Sequence, residues 1–144
     1  MANIVLSERF AQRFLPAGIE AKAHRKVFEL RNAYDMALKE VDVLITPCAP
    51  TIAIPNPRPL NKEGQPLSVM EKLQAAIGLT SNTAPFNVTG HPALNVPCGF
   101  SSPPEHPDVQ LPIGMQIIGQ RWRDEKVIMA AALFEAGRKL QKAS

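Results

Sequence analysis

Proline falls in two dense blocks along this chain. Fourteen of the 144 residues are Pro, about twice the usual ~5%. Pro16 stands alone, six lie between Pro47 and Pro66, seven lie between Pro85 and Pro112, and none follows. Proline fixes φ and lacks a backbone N–H, so it breaks helix interiors. Helices are therefore expected before Pro47, between Pro66 and Pro85, and after Pro112. Apolar residues recur through both blocks, which marks them as ordered loops and strand ends.

The free stretches carry helical signals. A short amphipathic helix is predicted from residue 7 to 14, with Phe10 and Phe14 four apart, stopped by Pro16 and Gly18. From 19 to 41, Ala23, Val27, Leu30, Tyr34, Leu38 and Val41 recur at three- and four-residue steps, the period of one helix face. Residues 43–46 read as a strand buried on both faces, with Asp42 as its only link to the helix. Ser68 and Glu71 form a capping-box pattern that opens a helix to about Leu79. A second strand is predicted at 93–96 and a third at 113–118, where Ile113, Met115 and Ile117 share one face and Gly114, Gln116 and Ile118 the other. Asp124 caps a last helix to about Gln141, with Glu125 at its positive end and Arg138, Lys139 and Lys142 at its negative end.

This order gives an α/β class, with short strands flanked by helices. Three short strands leave an apolar edge open, which natural proteins avoid. The 144 residues are therefore read as a single partial domain. It is helical over 7–41, a proline-rich loop over 47–67, and strand and helix over 68–142. The net charge of +3 comes without aromatic interleaving, so nucleic acid is not expected. The longest apolar run, Val127 to Phe134, is far too short to cross a membrane. A cytoplasmic location is expected.

The residues assemble no evident chemistry. Cys48 and Cys98 are read as two buried free thiols, since no short spacing joins them to His91 or His106 as a zinc site. A nucleophilic pair of Cys98 with His91 lacks an orienting third group. His24 lies among Lys22, Arg25 and Lys26 on a solvated helix face. The eight glycines never form a phosphate-cradling motif. No metal and no cofactor is expected.

Three segments carry more specific wording. Asp42-Val43-Leu44-Ile45-Thr46-Pro47-Cys48-Ala49-Pro50-Thr51 resembles the "DVLLTPTxPT" stretch of amidase-signature hydrolases. The segment from Asn82 to Gly99, with Pro85-Phe86-Asn87 and Gly90-His91-Pro92, resembles the family's "TxPFNxTGHPAxxVPCG". Leu111 to Gly119 resembles "LPxGxQxIG". The motifs stand in family order, and the resemblance spans about Phe10 to Leu140. Physically, Pro47, Pro92 and Pro97 are expected to end strands. Gly90 supplies a turn, Gly114 and Gly119 permit close backbone approach, and Asn87 ties loop backbone through its side chain.

The resemblance implies the C-terminal portion of an amidase fold, whose short strands join a mixed sheet begun by the family's N-terminal part. The family's chemistry is Ser-Ser-Lys, drawn from a Gly/Ser-rich signature and an upstream lysine. Here the only Ser-Ser, Ser101-Ser102, is followed by prolines and lacks the glycines. No catalytic residue is assigned in this chain, and alone it is expected to be inactive. Thr80, Thr83 and Gln116 are expected to line a solvent-open groove facing the catalytic part. In the A subunits of tRNA-dependent glutamine amidotransferases an acidic residue stands where this chain has Thr80. The chain therefore looks more like a free-standing amidase acting on a small neutral or aliphatic amide. The alternatives are a non-catalytic assembly module, an amidotransferase-like part, or a thiol enzyme using Cys98 or Cys48. The expected partner is a catalytic N-terminal part or a second copy, joined as a dimer across the strands or the 19–41 helix.

Overall fold

The computed structural model describes residues 2–56, 60, 64–74 and 78–143. Its elements are α1 (Ala2–Phe14), α2 (Ile19–Glu40), β1 (Leu44–Pro47), α3 (Val69–Gln74), α4 (Ala84–Thr89), β2 (Ala93–Ser101), β3 (Leu111–Ile118) and α5 (Asp124–Ala143). The strands form one sheet in the order β1-β3-β2. Both pairings are antiparallel, with Leu44 opposite Ile118 and Ala93 also opposite Ile118. The three strands of this chain form an antiparallel unit, and the α/β class holds.

Alternation sorts the sheet into two faces. Ile45, Leu94 and Ile117 align across one face, as do Pro47, Val96 and Met115. There Val96 and Ile117 pack with Val127 and Ala131 of α5. The opposite face carries Thr46, Asn95 and Gln116 in one row. Helix α5 covers β2 and β3 but leaves β1 bare on its face: Ile45 is 61% exposed. So β1 is not buried on both faces, because it sits at the sheet edge with no helix above it. On the opposite face the bare strand is β2, where Ala93, Asn95 and Pro97 are exposed.

Several local readings need correction. α4 lies inside the second proline block, where the sequence predicts no helix. Pro85 occupies its first turn, where the N–H has no intrahelical partner to lose and the fixed φ suits the helix. Gly90 closes α4 at φ 74°, its N–H donating to Phe86 O at 2.9 Å. Pro97 does not end β2. The strand continues to Ser101 through a register shift between Pro97 and Gly99, as an edge strand with a bulge tolerates. Helix α1 begins at Ala2 rather than residue 7, and α2 ends at Glu40 because Val41 is extended. The capping box forms as read: Ser68 N donates to Glu71 Oε2 at 2.8 Å and Glu71 N to Ser68 Oγ at 3.2 Å. Its helix does not reach Leu79, however. Gly78, at φ 88°, opens a run of turns through Thr83. Residues 57–59, 61–63 and 75–77, inside the expected loop and helix, lie outside the described residues.

Candidate functional site

The sheet face opposite α5 presents a broad concavity. It is an open cleft of about 710 Å³ between the 47–54 segment, Leu79 and the β2–β3 floor. Cys48 N donates to Gly114 O at 2.9 Å, so the segment leaves β1 still in register with β3. Pro47, Pro50 and Pro112 stiffen the rim. Gly114 is required by crowding. A Cβ there would collide with Asn95 Oδ1 and approach Cys48 Cβ to 3.2 Å.

The turn run 78–83 forms the adjoining wall and is stapled to the sheet. Asn82 Nδ2 donates to Pro47 O at 3.1 Å. Gln116 Nε2 donates to Asn82 O at 3.0 Å and to Thr46 Oγ1 at 3.2 Å. The expected groove residues are thus separated in role. Gln116 is buried and spent on holding the wall, so it does not line an open groove. Thr80 is exposed, and its carbonyl accepts from Thr83 Oγ1 at 3.2 Å and from Ala84 N at 2.8 Å. Neither threonine lines the cleft; their neighbour Leu79 does. Asn87 lies exposed on α4, and the side-chain tie expected of it is made by Asn82 instead.

A second cluster joins α2 to the α4–β2 junction, and sequence reasoning did not assemble it. His91 is buried, with Nδ1 2.9 Å from Thr89 Oγ1. Its Nε2 lies 3.3 Å from Asp35 Oδ1 without hydrogen-bond alignment. Asp35 in turn accepts from Arg121 Nε and Nη2 at 3.1 and 2.9 Å. Burial outweighs the neighbouring carboxylate and holds the His91 pKa below its ordinary value. The Arg121 hydrogen bonds hold Asp35 below the usual carboxylate range. Arg31 Nε donates to Thr89 O at 2.9 Å, and Tyr34 packs tilted against Phe86 and edge-on to His91. The ring and its neighbours are structural pins. The residues lie at 31, 35, 89, 91 and 121 along the chain, so no local motif announces them.

Cys48 and Cys98 are free but half-buried rather than buried. Cys98 Sγ donates to Ile113 O at 3.5 Å, while the His91 nitrogens face Thr89 and Asp35, so no Cys–His pair forms. His24 is exposed beside Glu20. Among the described residues no group of His, Cys, Asp and Glu is placed to hold a metal. None of the helices among them is long and apolar enough to cross a membrane.

The described residues thus form an α/β layer with a ligand-sized cleft and no nucleophile–base pair. A bacterial aryl acylamidase of the amidase-signature enzymes has the same fold over 88% of this chain and 24% of its own, with a TM-score of 0.63 at 24% identity. The model of the Amidase family matches residues 3–128. The chain belongs to this family. It is 37% identical over 115 residues to an enantioselective amidase of Rhodococcus rhodochrous, covering 80% of this chain and 20% of that protein. It is 36% identical over 114 residues to the A subunit of a glutamyl-tRNA(Gln) amidotransferase from Prochlorococcus marinus, covering 79% and 20%. A Rhodococcus erythropolis protein encoded in the nthA 5′ region is 38% identical over 114 residues. The chain spans 51% of that protein's length and 20% of each of the other two.

Proposed function

We propose that this chain is the substrate-side C-terminal part of an amide hydrolase whose Ser-Ser-Lys chemistry is supplied by sequence it does not contain. The family match over residues 3–128 carries this reading. Acyl transfer needs an activated nucleophile and an oxyanion hole, and the described residues assemble neither. What they build is a rigid wall and a cleft. The amidotransferase alternative is weaker because Thr80 stands at the position where the resemblance implies an acidic residue in that enzyme. A cytoplasmic location accords with two free thiols. Self-association through open surfaces is part of the same proposal.

A chimera tests it. The stretch of the Rhodococcus rhodochrous amidase that matches this chain is replaced by this chain's own residues. The chain alone should leave acetamide, benzamide and an anilide intact, while the chimera should hydrolyse at least one of them. A folded, inactive chimera would overturn the reading. Turnover by the chain alone that disappears in Cys98→Ala would replace it with a thiol mechanism.

A further inference from the structure

We infer that the groove between α2 and the turn at 120–123 binds a small aromatic carboxylate, its ring against the Trp122 indole and its anionic end at Lys39 and Arg121. The groove has a volume of about 480 Å³, within the ~300–1,000 Å³ usual for small-molecule sites. It shares no lining residue with the cleft beside the 47–54 segment. The inference is therefore independent of the hydrolase reading.

Trp122 is the starting point. Arg123 N donates to Gln120 O at 3.1 Å, which makes Trp122 the third residue of a tight turn. Its φ is 65°, a value natural there to glycine and strained for a bulky side chain. Packing within the chain does not offset that strain, since Trp122 is 89% exposed. Backbone held in this region points to function, and an indole presented this way offers its face to a planar ring. The charges beside it set the sign of the ligand. Both oxygens of Asp35 accept from Arg121, so that carboxylate is compensated. Lys39 adds a second cation, and among the described residues its Nζ meets only Met36 Sδ, at 3.4 Å. The Asn32 carboxamide, also on the groove wall, makes no hydrogen bond to a described residue. Arg121 keeps N–H groups beyond the two that Asp35 uses. Donors thus surround one uncompensated positive charge, and a single carboxylate answers them. Gln120 Nε2 donates to Leu38 O at 2.6 Å. With the Arg121–Asp35 fork, this bond fixes the turn on α2 before a ligand arrives, which lowers the ordering cost of binding.

Trp122 is the single tryptophan of the chain, so its fluorescence reads the groove directly. Titration with benzoate should give a saturable change, and the uncharged benzamide should give none. Acetate, which lacks the ring, should bind about tenfold more weakly. Lys39→Glu alters an exposed position of α2, where folding is not at risk, and should weaken benzoate binding by about tenfold or more. Trp122→Gly, followed through the amide NMR shifts of Asn32 and Lys39, should lose benzoate binding. Its urea midpoint should stay equal or rise, because glycine accepts the positive φ. An absent or unsaturable benzoate response, an equal response to benzamide, or unaltered affinity in Lys39→Glu would each overturn the assignment. Benzoate shifts retained in Trp122→Gly, or a lowered midpoint there, would also overturn it, the latter by showing that Trp122 serves folding. Saturation by an oligoglutamate peptide but not by benzoate would replace it with a docking point for an acidic segment.

Discussion

Gly114 shows how much of the site depends on one missing methyl. It pairs with Pro97 across β3 and β2, and an added Cβ would run into Asn95 Oδ1 with Cys48 Cβ close behind. Asn95 could rotate away, but Cys48 is held by its bond to the Gly114 carbonyl. Gly114→Ala should therefore destabilise the chain by about 1–3 kcal/mol, the usual cost of overpacking. Gly99→Ala, where nothing lies within 4 Å of the added atom, should cost much less. Urea unfolding of the two variants checks this, and equal midpoints would show that the crowding relaxes freely. The demand for close approach at Gly114 was legible, because a lone glycine in a β-branched strand signals it locally. The exchange of Asn87 for Asn82 was not. Which asparagine reaches the Pro47 carbonyl depends on α4 forming, and the sequence at Pro85 reads equally as a loop.

Among the elements, the junction of α2 with α4 and β2 carries the buried charges. Arg31, Asp35 and Tyr34 project from one face of α2, while Thr89 and His91 answer from the end of α4 and just beyond it, and Arg121 from the segment before α5. His91 has its folded pKa depressed by burial, so the unfolded chain binds the proton more readily. Stability contributed by neutral His91 is thus complete above the unfolded pKa of about 6.5 and is lost as pH falls below it. Asp35, also depressed, acts in the same direction but only near and below the ordinary carboxylate range. The unfolding free energy should decline from about pH 7.5 to about 5.5, and His91→Gln should flatten that slope whatever it does to absolute stability. Chemical denaturation at several pH values measures both. An unchanged slope in the variant would show that His91 binds its proton equally well in the folded and unfolded chain, the Asp35 carboxylate offsetting burial. The long helices and all three strands were legible from period and β-branched runs. α4 was hidden because its proline lies where helices accept one.

At the scale of the whole molecule, the layers do not close. Seven apolar side chains are buried among the described residues, whereas 22 large ones are exposed. Helix α5 makes the point most directly. Val127 and Ala131 face the sheet, yet Met129, Leu133 and Leu140 form a stripe on its outer side, with Leu133 at 68% exposure. A helix apolar on both sides belongs in an interior. The sheet is open in a matching way, since β1 and β2 are both edges, with Ile45 bare on one face and Asn95 and Pro97 on the other. Edges and apolar stripes of this kind are met by another chain or lead to aggregation. In isolation, a second copy is the available partner, and burying apolar surface contributes about 25 cal/mol per Å². Light scattering on the purified chain at micromolar concentration should give about twice 15.7 kDa. Leu133→Glu should shift that value toward the monomer, because the charge would sit in the middle of the buried stripe. A monodisperse monomer with cooperative unfolding would show that the seven-residue core suffices and that the open surfaces are tolerated alone.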